Sequence, residues 1–185
     1  MKTKEMTYVA ISAVLITICS WISIPMTVPF TLQTFAIFLI VGIFGGRLGT
    51  MAVALYLLMG AVGLPVFANF SGGLGRLIGS TSGGYLFGFL LTTLVMWGME
   101  KVFGKKTPVF VISAVIGLFL CYLVGTLWFM MVYMRTTGPV GLLSILGWCV
   151  FPFVIPDLIK LGLATALSRR LSKALGNELK LRTAR

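Results

Sequence analysis

The chain predicts an all-α integral membrane protein, a bundle of six transmembrane helices forming one membrane domain over residues 1–185. Three observations carry this. Of 185 residues, 58% are hydrophobic and only 10% charged, and the mean hydropathy of +1.06 lies far outside the soluble globular range. The apolar residues fall into runs long enough to cross hydrocarbon, with short polar breaks between them. The basic residues collect in alternate breaks, the asymmetry that sets membrane topology.

The first span covers about residues 6–24. Lys2 and Lys4 precede it, as in a signal peptide, but the apolar stretch continues to Pro25 and no small-residue cleavage site follows. It reads as an uncleaved helix. The second span, about 32–46, is short. Only Gly46-Arg47-Leu48 divides it from the third, about 48–66, so the two form a tight helical hairpin. The fourth covers about 83–99, the fifth 108–134 and the sixth 151–167. Leu142–Val150 is also apolar, as a short interfacial helix before the sixth span or as its extension.

With six spans both termini share a side. That side collects Lys2, Lys4, Arg47, Lys101, Lys105, Lys106, Arg169, Arg170, Lys173, Lys180, Arg182 and Arg185, against Arg76 and Arg135 opposite. Both termini are therefore expected in the cytoplasm of a multi-pass cell-membrane protein. The formal charge of +11 is spread over these breaks and suits topology and anionic lipid better than a nucleic-acid face. The outer side carries a Pro25/Pro29 loop and a long glycine-rich loop between the third and fourth spans.

Asp157 is the one acid well inside an apolar run, and Lys160 follows on the same helical face. An ionisable group in hydrocarbon costs roughly 2.5–3.5 kcal/mol on insertion scales, so such groups usually face a bundle interior or polar cavity. The pair is either a self-neutralising pin between helices or a ligand site. We take the second reading, because an acid and an amine together suit a small polar solute. Pro152 and Pro156 open the sixth span, and Pro156 frees a backbone carbonyl one turn back. Around the outer loops the polar candidates are Gln33, Asn69, Arg76 and Tyr85, with Phe67 beside them. Gly72 and Gly73 let backbone groups approach a ligand.

Several chemistries are excluded. There are no histidines and only four acids, so no histidine-dependent zinc site or Ser-His-Asp triad exists. Cys19, Cys121 and Cys149 show no metal spacing and read as small buried hydrophobes. Neither glycine-rich segment is a phosphate-binding loop, and Gly104-Lys105-Lys106-Thr107 lacks the required first glycine and final hydroxyl position. The chain cannot hydrolyse ATP alone, and no cofactor is expected. Ala10, Ala13, Thr17 and Ser20 form a small-residue stripe on the first helix, a candidate surface for a partner helix, and Gly42/Gly46 and Gly84/Gly88 match the small-xxx-small pattern.

The sequence is similar to the BioY family, the biotin-specific substrate-binding components of energy-coupling factor (ECF) transporters. The resemblance covers nearly the whole chain. It rests on Ile24-Pro-Met-Thr-Val-Pro-Phe-Thr-Leu-Gln-Thr-Phe35, on Tyr56-Leu-Leu-Met-Gly-Ala-Val-Gly-Leu-Pro-Val-Phe-Ala68, on Gly72-Gly-Leu-Gly75 leading to Gly83-Gly-Tyr-Leu-Phe-Gly-Phe89, and on Pro156-Asp157-x-x-Lys160. One departure is Gly79-Ser-Thr-Ser-Gly-Gly-Tyr85, where the family tends to read Gly-Pro-Thr-Gly-Gly-Tyr. The resemblance implies capture of biotin from outside, and association with a transmembrane coupling subunit and two cytoplasmic ATPases. Asp157 would accept from the ureido N–H groups and Asn69 pair with the ureido carbonyl. Lys160 would either meet the valerate carboxylate or orient Asp157, with Arg76 its rival for the carboxylate. Two other classes compete: a self-sufficient channel or secondary transporter, which no internal repeat favours, and an intramembrane enzyme, which the single intramembrane acid disfavours.

Overall fold

A computed structural model of the protein describes residues 3–183, with side chains described through residue 174. Lys2 and Arg185, and the side chains of Lys180 and Arg182, lie outside the described residues. Helix α1 (Thr3–Trp21) leads into a small antiparallel ribbon of β1 (Ser23–Ile24) and β2 (Phe30–Thr31), in which Ser23 faces Thr31. Pro25 and Pro29 lie between the strands, where no ladder N–H is needed. Then come α2 (Gln33–Phe44), α3 (Gly46–Ala61), a single 3-10 turn (Ala68–Phe70) and the five-residue α4 (Leu74–Ile78). The chain ends with α5 (Gly83–Phe103), α6 (Thr107–Thr136), α7 (Leu142–Cys149) and α8 (Phe151–Thr183).

The six expected spans correspond to α1, α2, α3, α5, α6 and α8. By length and composition, α5, α6 and the Leu142–Ala174 run suffice to cross a membrane, while α2 and α3 are apolar but shorter. At 1.5 Å per residue these two extend roughly 18 and 24 Å, less than a hydrocarbon core of about 30 Å. Helices α5 and α8 outrun the expected ends near Met99 and Leu167. Hydropathy marks where a chain leaves hydrocarbon, whereas capping ends a helix. Helix α5 stops only at Gly104, whose φ of 78° is left-handed and whose N–H returns to Glu100 O. Beyond Leu167 the Ser-Arg-Arg-Leu-Ser-Lys-Ala segment contains mostly good helix formers. The α2–α3 break falls two residues earlier than expected, at Gly45 with φ 88°. Helix α7 is separate from α8, interrupted at Val150.

The bundle is apolar outside and carries hydroxyls inside. Ile11, Val14, Phe119, Leu127, Ile155 and Ile159 are exposed, while Ser12, Thr17, Ser20, Thr92, Thr93, Ser113 and Thr126 are buried. Without a hydrophobic force between helices in lipid, association relies on close packing and hydrogen bonds. The α5–α6 seam shows both. A Cβ on Gly88 would lie 2.6 Å from Cys121 Sγ, and one on Gly117 would lie 2.6 Å from Thr92 Cγ2. Thr92 Oγ1 sits 2.9 Å from the carbonyls of both glycines.

The small-residue stripe on α1 requires a correction. Ala13, Thr17 and Ser20 turn inward, at 0%, 6% and 0% exposure, and only Ala10 is exposed. Ala13 and Ile16 enter the core shared with α2 and α3, and Ser20 Oγ donates to the carbonyls of Thr17 and Val66 at 2.7 and 2.5 Å. The same small side chains that would admit an external helix admit internal ones, and the periodicity does not distinguish them. The outward face of α1 carries Ala10, Ile11, Val14 and Ile18 instead.

Ala13→Trp should overpack this core by at least about 1–3 kcal/mol. Its thermal midpoint and yield of dispersed protein in detergent should fall, whereas Ala10→Trp should leave both at parental values. A parental midpoint for Ala13→Trp would show that the stripe faces outward.

Candidate ligand-binding site

Asp157 and Lys160 lie one turn apart on α8 and are only 3% and 6% exposed. Burial of this kind is tolerable only with complete pairing. Asp157 Oδ1 accepts from Lys160 Nζ at 2.9 Å and from Thr34 Oγ1 at 2.8 Å, and its Oδ2 accepts from Tyr122 OH at 2.6 Å. Lys160 Nζ also donates to Thr31 O at 2.7 Å and stands 4.0 Å from the centroid of the Phe30 ring. The lysine therefore has an anion, a carbonyl and an aromatic face around it.

These partners come from three distant parts of the chain. The β1–β2 ribbon ends at Thr31, which brings its carbonyl to Lys160. Thr34 sits in the first turn of α2, and the side chain of its neighbour Gln33 is held by two hydrogen bonds. Gln33 Nε2 donates to Tyr56 OH at 2.6 Å, and Gln33 Oε1 accepts from Thr31 Oγ1 at 2.9 Å. Tyr122 stands in the middle of α6, where the apolar run otherwise has no acid or base.

The carboxylate opens into a cavity of about 700 Å³, its open mouth included. Val28, Leu86, Phe89, Leu118 and Phe153 give it apolar walls. Of the residues singled out in the sequence, Gln33, Phe67, Arg76, Tyr85, Asp157 and Lys160 line it together. Tyr85 OH lies 3.2 Å from Thr126 Oγ1. Arg76, on α4, has no ion-pair partner among the described residues.

Asn69, Gly72 and Gly73 are not in the lining. Asn69 adopts a left-handed φ of 58°, and its exposed side chain accepts from Ser23 Oγ at 3.1 Å. Its neighbours Phe67 and Ala68 face the cavity instead. Gly72 packs against the Leu64 carbonyl. Gly73 donates its N–H to Gly60 O at 2.7 Å and turns, with φ 93°, into α4. Glycine is needed at 72 for this close approach and at 73 for the left-handed turn. Thr34 and Tyr122 carry no distinguishing signal in the sequence, where other threonines and tyrosines stand in apolar runs as well. Cys121 and Cys149 are buried, as their apolar context suggested, and also line the cavity. Among the described residues, no three His, Cys, Asp or Glu side chains gather to hold a metal.

The residues 62–82 are anchored at both ends. Trp21 Nε1 donates to Pro65 O at 2.8 Å, Ser20 holds Val66 O, and Trp128 Nε1 donates to Ser80 O at 3.1 Å. The segment supplies Phe67, Ala68, Arg76 and Ser82 to the cavity, and the ribbon connection supplies Val28 and Pro29.

A double-mutant cycle tests the pairing. Asp157→Leu should cost roughly 3–5 kcal/mol of stability by leaving Lys160 buried without its anion. Adding Lys160→Met should recover most of that loss in denaturation followed by tryptophan fluorescence. Additive losses would mean that the two charges are not coupled.

Known proteins resemble this chain throughout. The biotin transporter BioY of Thermotoga maritima is 42% identical over 173 residues, 92% of this chain and 96% of that protein. The probable biotin transporter BioY of Pyrococcus horikoshii is 36% identical over 172 residues, 92% of this chain and 98% of that one. A crystal structure at 2.1 Å of the S-component for biotin from an ECF-type ABC transporter superposes with a TM-score of 0.79 at 29% identity. It covers 93% of this chain and 92% of that one. The BioY family profile matches residues 1–177, and the chain belongs to the BioY family.

Proposed function

We propose that the protein captures biotin and serves as the substrate-binding S-component of an ATP-driven ECF transporter. The observation that carries this reading is the buried Asp157 carboxylate in an apolar-walled cavity, in a chain whose relatives are named biotin transporters. Biotin has two ureido N–H donors, an apolar thiophane ring and a carboxylate tail. Asp157 Oδ2 accepts from Tyr122 alone among the described residues, so it retains capacity for a ureido N–H. The protein is a binding component and not an enzyme. Biotin is cargo, and the reading assigns the site no cofactor.

Lys160 is already committed to Asp157 and Thr31, which supports a role in orienting the acid. Arg76, uncommitted in the same lining, is the better partner for the valerate carboxylate. The ribbon connection and residues 62–82 both contribute to the lining and would close over bound biotin.

Hydrolysis of ATP would fall to two cytoplasmic ATPases, joined through a transmembrane coupling subunit, because the chain has no phosphate-binding loop. We further propose six spans with both termini cytoplasmic. The clustering of Lys4, Arg47, Lys101, Lys105, Lys106, Arg169, Arg170 and Lys173 in the breaks on one side supports this orientation.

Titration calorimetry with biotin tests the site. Asp157→Ala should lose about 2–5 kcal/mol of binding free energy, and unchanged affinity in a folded variant would place the site elsewhere. Arg76→Gln should weaken biotin by about tenfold while leaving biotin amide nearly unaffected, since only the acid forms the ion pair. Lys160→Gln should weaken both ligands alike. If Arg76→Gln treats acid and amide equally, Arg76 does not meet the carboxylate.

A further inference from the structure

Away from the Asp157 cavity, α2, α5, α6 and α8 enclose a second one of about 850 Å³, its open mouth included. Along α2 its lining starts at Val41, seven residues past Thr34, and along α8 at Thr165, eight past Asp157. Lys160 also lines the first cavity, five residues short of Thr165, so roughly 8 Å of helix separates the two linings at their nearest along α8.

The lining is amphiphilic and sorted. Val41, Met96, Val109 and Phe110 supply an apolar wall. Ser113 and Ser168 are buried, and their hydroxyls donate to Phe110 O and Thr165 O, so they add little free polarity. The cations are Lys105 and Lys106, from the α5–α6 turn, and Arg169 of α8. Glu100 is the only acid in the lining, and it is occupied. Its Oε1 lies 3.3 Å from Lys105 Nζ, and its Oε2 accepts from Gly46 N–H at 2.5 Å. Lys106 and Arg169 are exposed and have no ion-pair partner among the described residues. Helix α6 starts beside them without a side-chain cap, which adds the positive end of its dipole.

Two uncommitted cations above an apolar wall match a molecule with a phosphate at one end and hydrocarbon at the other. We propose that this cavity binds an anionic glycerophospholipid, with the phosphate at Lys106 and Arg169 and the start of an acyl chain against the Val41–Met96–Phe110 wall. Free phosphate would satisfy the cations but leave that wall uncovered, and so the lipid is the better fit.

The test uses the delipidated full-length protein in detergent, titrated with phosphatidylglycerol or phosphatidylcholine and read by native mass spectrometry. The parent should retain one phosphatidylglycerol per chain at concentrations where phosphatidylcholine is not retained. The double variant Lys106→Gln/Arg169→Gln should bind phosphatidylglycerol about tenfold more weakly, allowing about 1 kcal/mol per basic residue and some screening. Lys101→Gln/Arg170→Gln removes equal charge outside the lining and should stay within about twofold of the parent. All three proteins should share one thermal midpoint, as these side chains are outside the core. An equal loss in both variants would reduce the effect to diffuse surface charge and overturn the site. Complete displacement by millimolar glycerol 3-phosphate would make it a soluble-anion site and overturn the lipid assignment. Retained lipid in Lys106→Gln/Arg169→Gln, with loss of co-purifying transporter subunits, would assign the cavity to a protein partner and equally overturn the proposal.

Discussion

Burying a carboxylate and an ammonium together in an apolar bundle constrains everything around them. Either charge alone would carry a large desolvation penalty, and even a pair is tolerable only when further hydrogen bonds complete its shell. Here the shell is drawn from Thr31, Thr34 and Tyr122. Satisfying Asp157 and Lys160 therefore fixes the end of the ribbon, the first turn of α2 and the rotation of α6 about its axis, all against α8. The ligand cavity is the space left beside that fixed centre. Arg76 apart, its charged groups and Gln33, Thr34, Tyr85 and Tyr122 are directional because each is already held by a neighbour.

The same economy of polar groups governs the rest of the bundle. Hydroxyls inside return to helix carbonyls or bridge to the next helix, and small residues bring backbones close enough for such bonds to form. Ser20 illustrates the double use. Its side chain is small enough to be fully buried on α1, and its hydroxyl binds the carbonyl just before Phe67, a cavity wall. Trp21 holds the preceding carbonyl, and its ring lies 5.0 Å from that of Phe70. Helix α1 thus supports the cavity without lining it.

Much of this was legible in the sequence, for identifiable reasons. Helix existence followed from apolar runs, because hydrocarbon admits few other backbone solutions. The helix end at Phe103 and the continuation of α8 past Leu167 were not legible from hydropathy, since hydrogen bonding continues after the chain turns polar. Asp157 and Lys160 were conspicuous because charge in an apolar run has few explanations. Thr34 and Tyr122 were not, because a threonine or tyrosine is common in such helices. Only the fold brings them to an acid 123 and 35 residues away. Asn69 looked like a cavity residue by its position beside Phe67. A left-handed turn sends its side chain to Ser23 instead, and no local pattern announces that reversal. The α1 stripe failed for a different reason: periodicity reports which residues share a face, and never which neighbour that face meets.

The self-neutralised pair has an electrical consequence. In formal charge, Asp157 and Lys160 cancel, so Arg76 alone sets the net charge of the cavity lining. The empty cavity carries one positive charge, and the cavity holding a monocarboxylate carries none. A charge crossing the full membrane voltage changes energy by about 2.3 kcal/mol per 100 mV. On the proposed function, a filled cavity would carry no net formal charge for the membrane potential to act on, whereas an unfilled one would carry the charge of Arg76. The proposed function would thus tie loading and response to voltage to the same arginine.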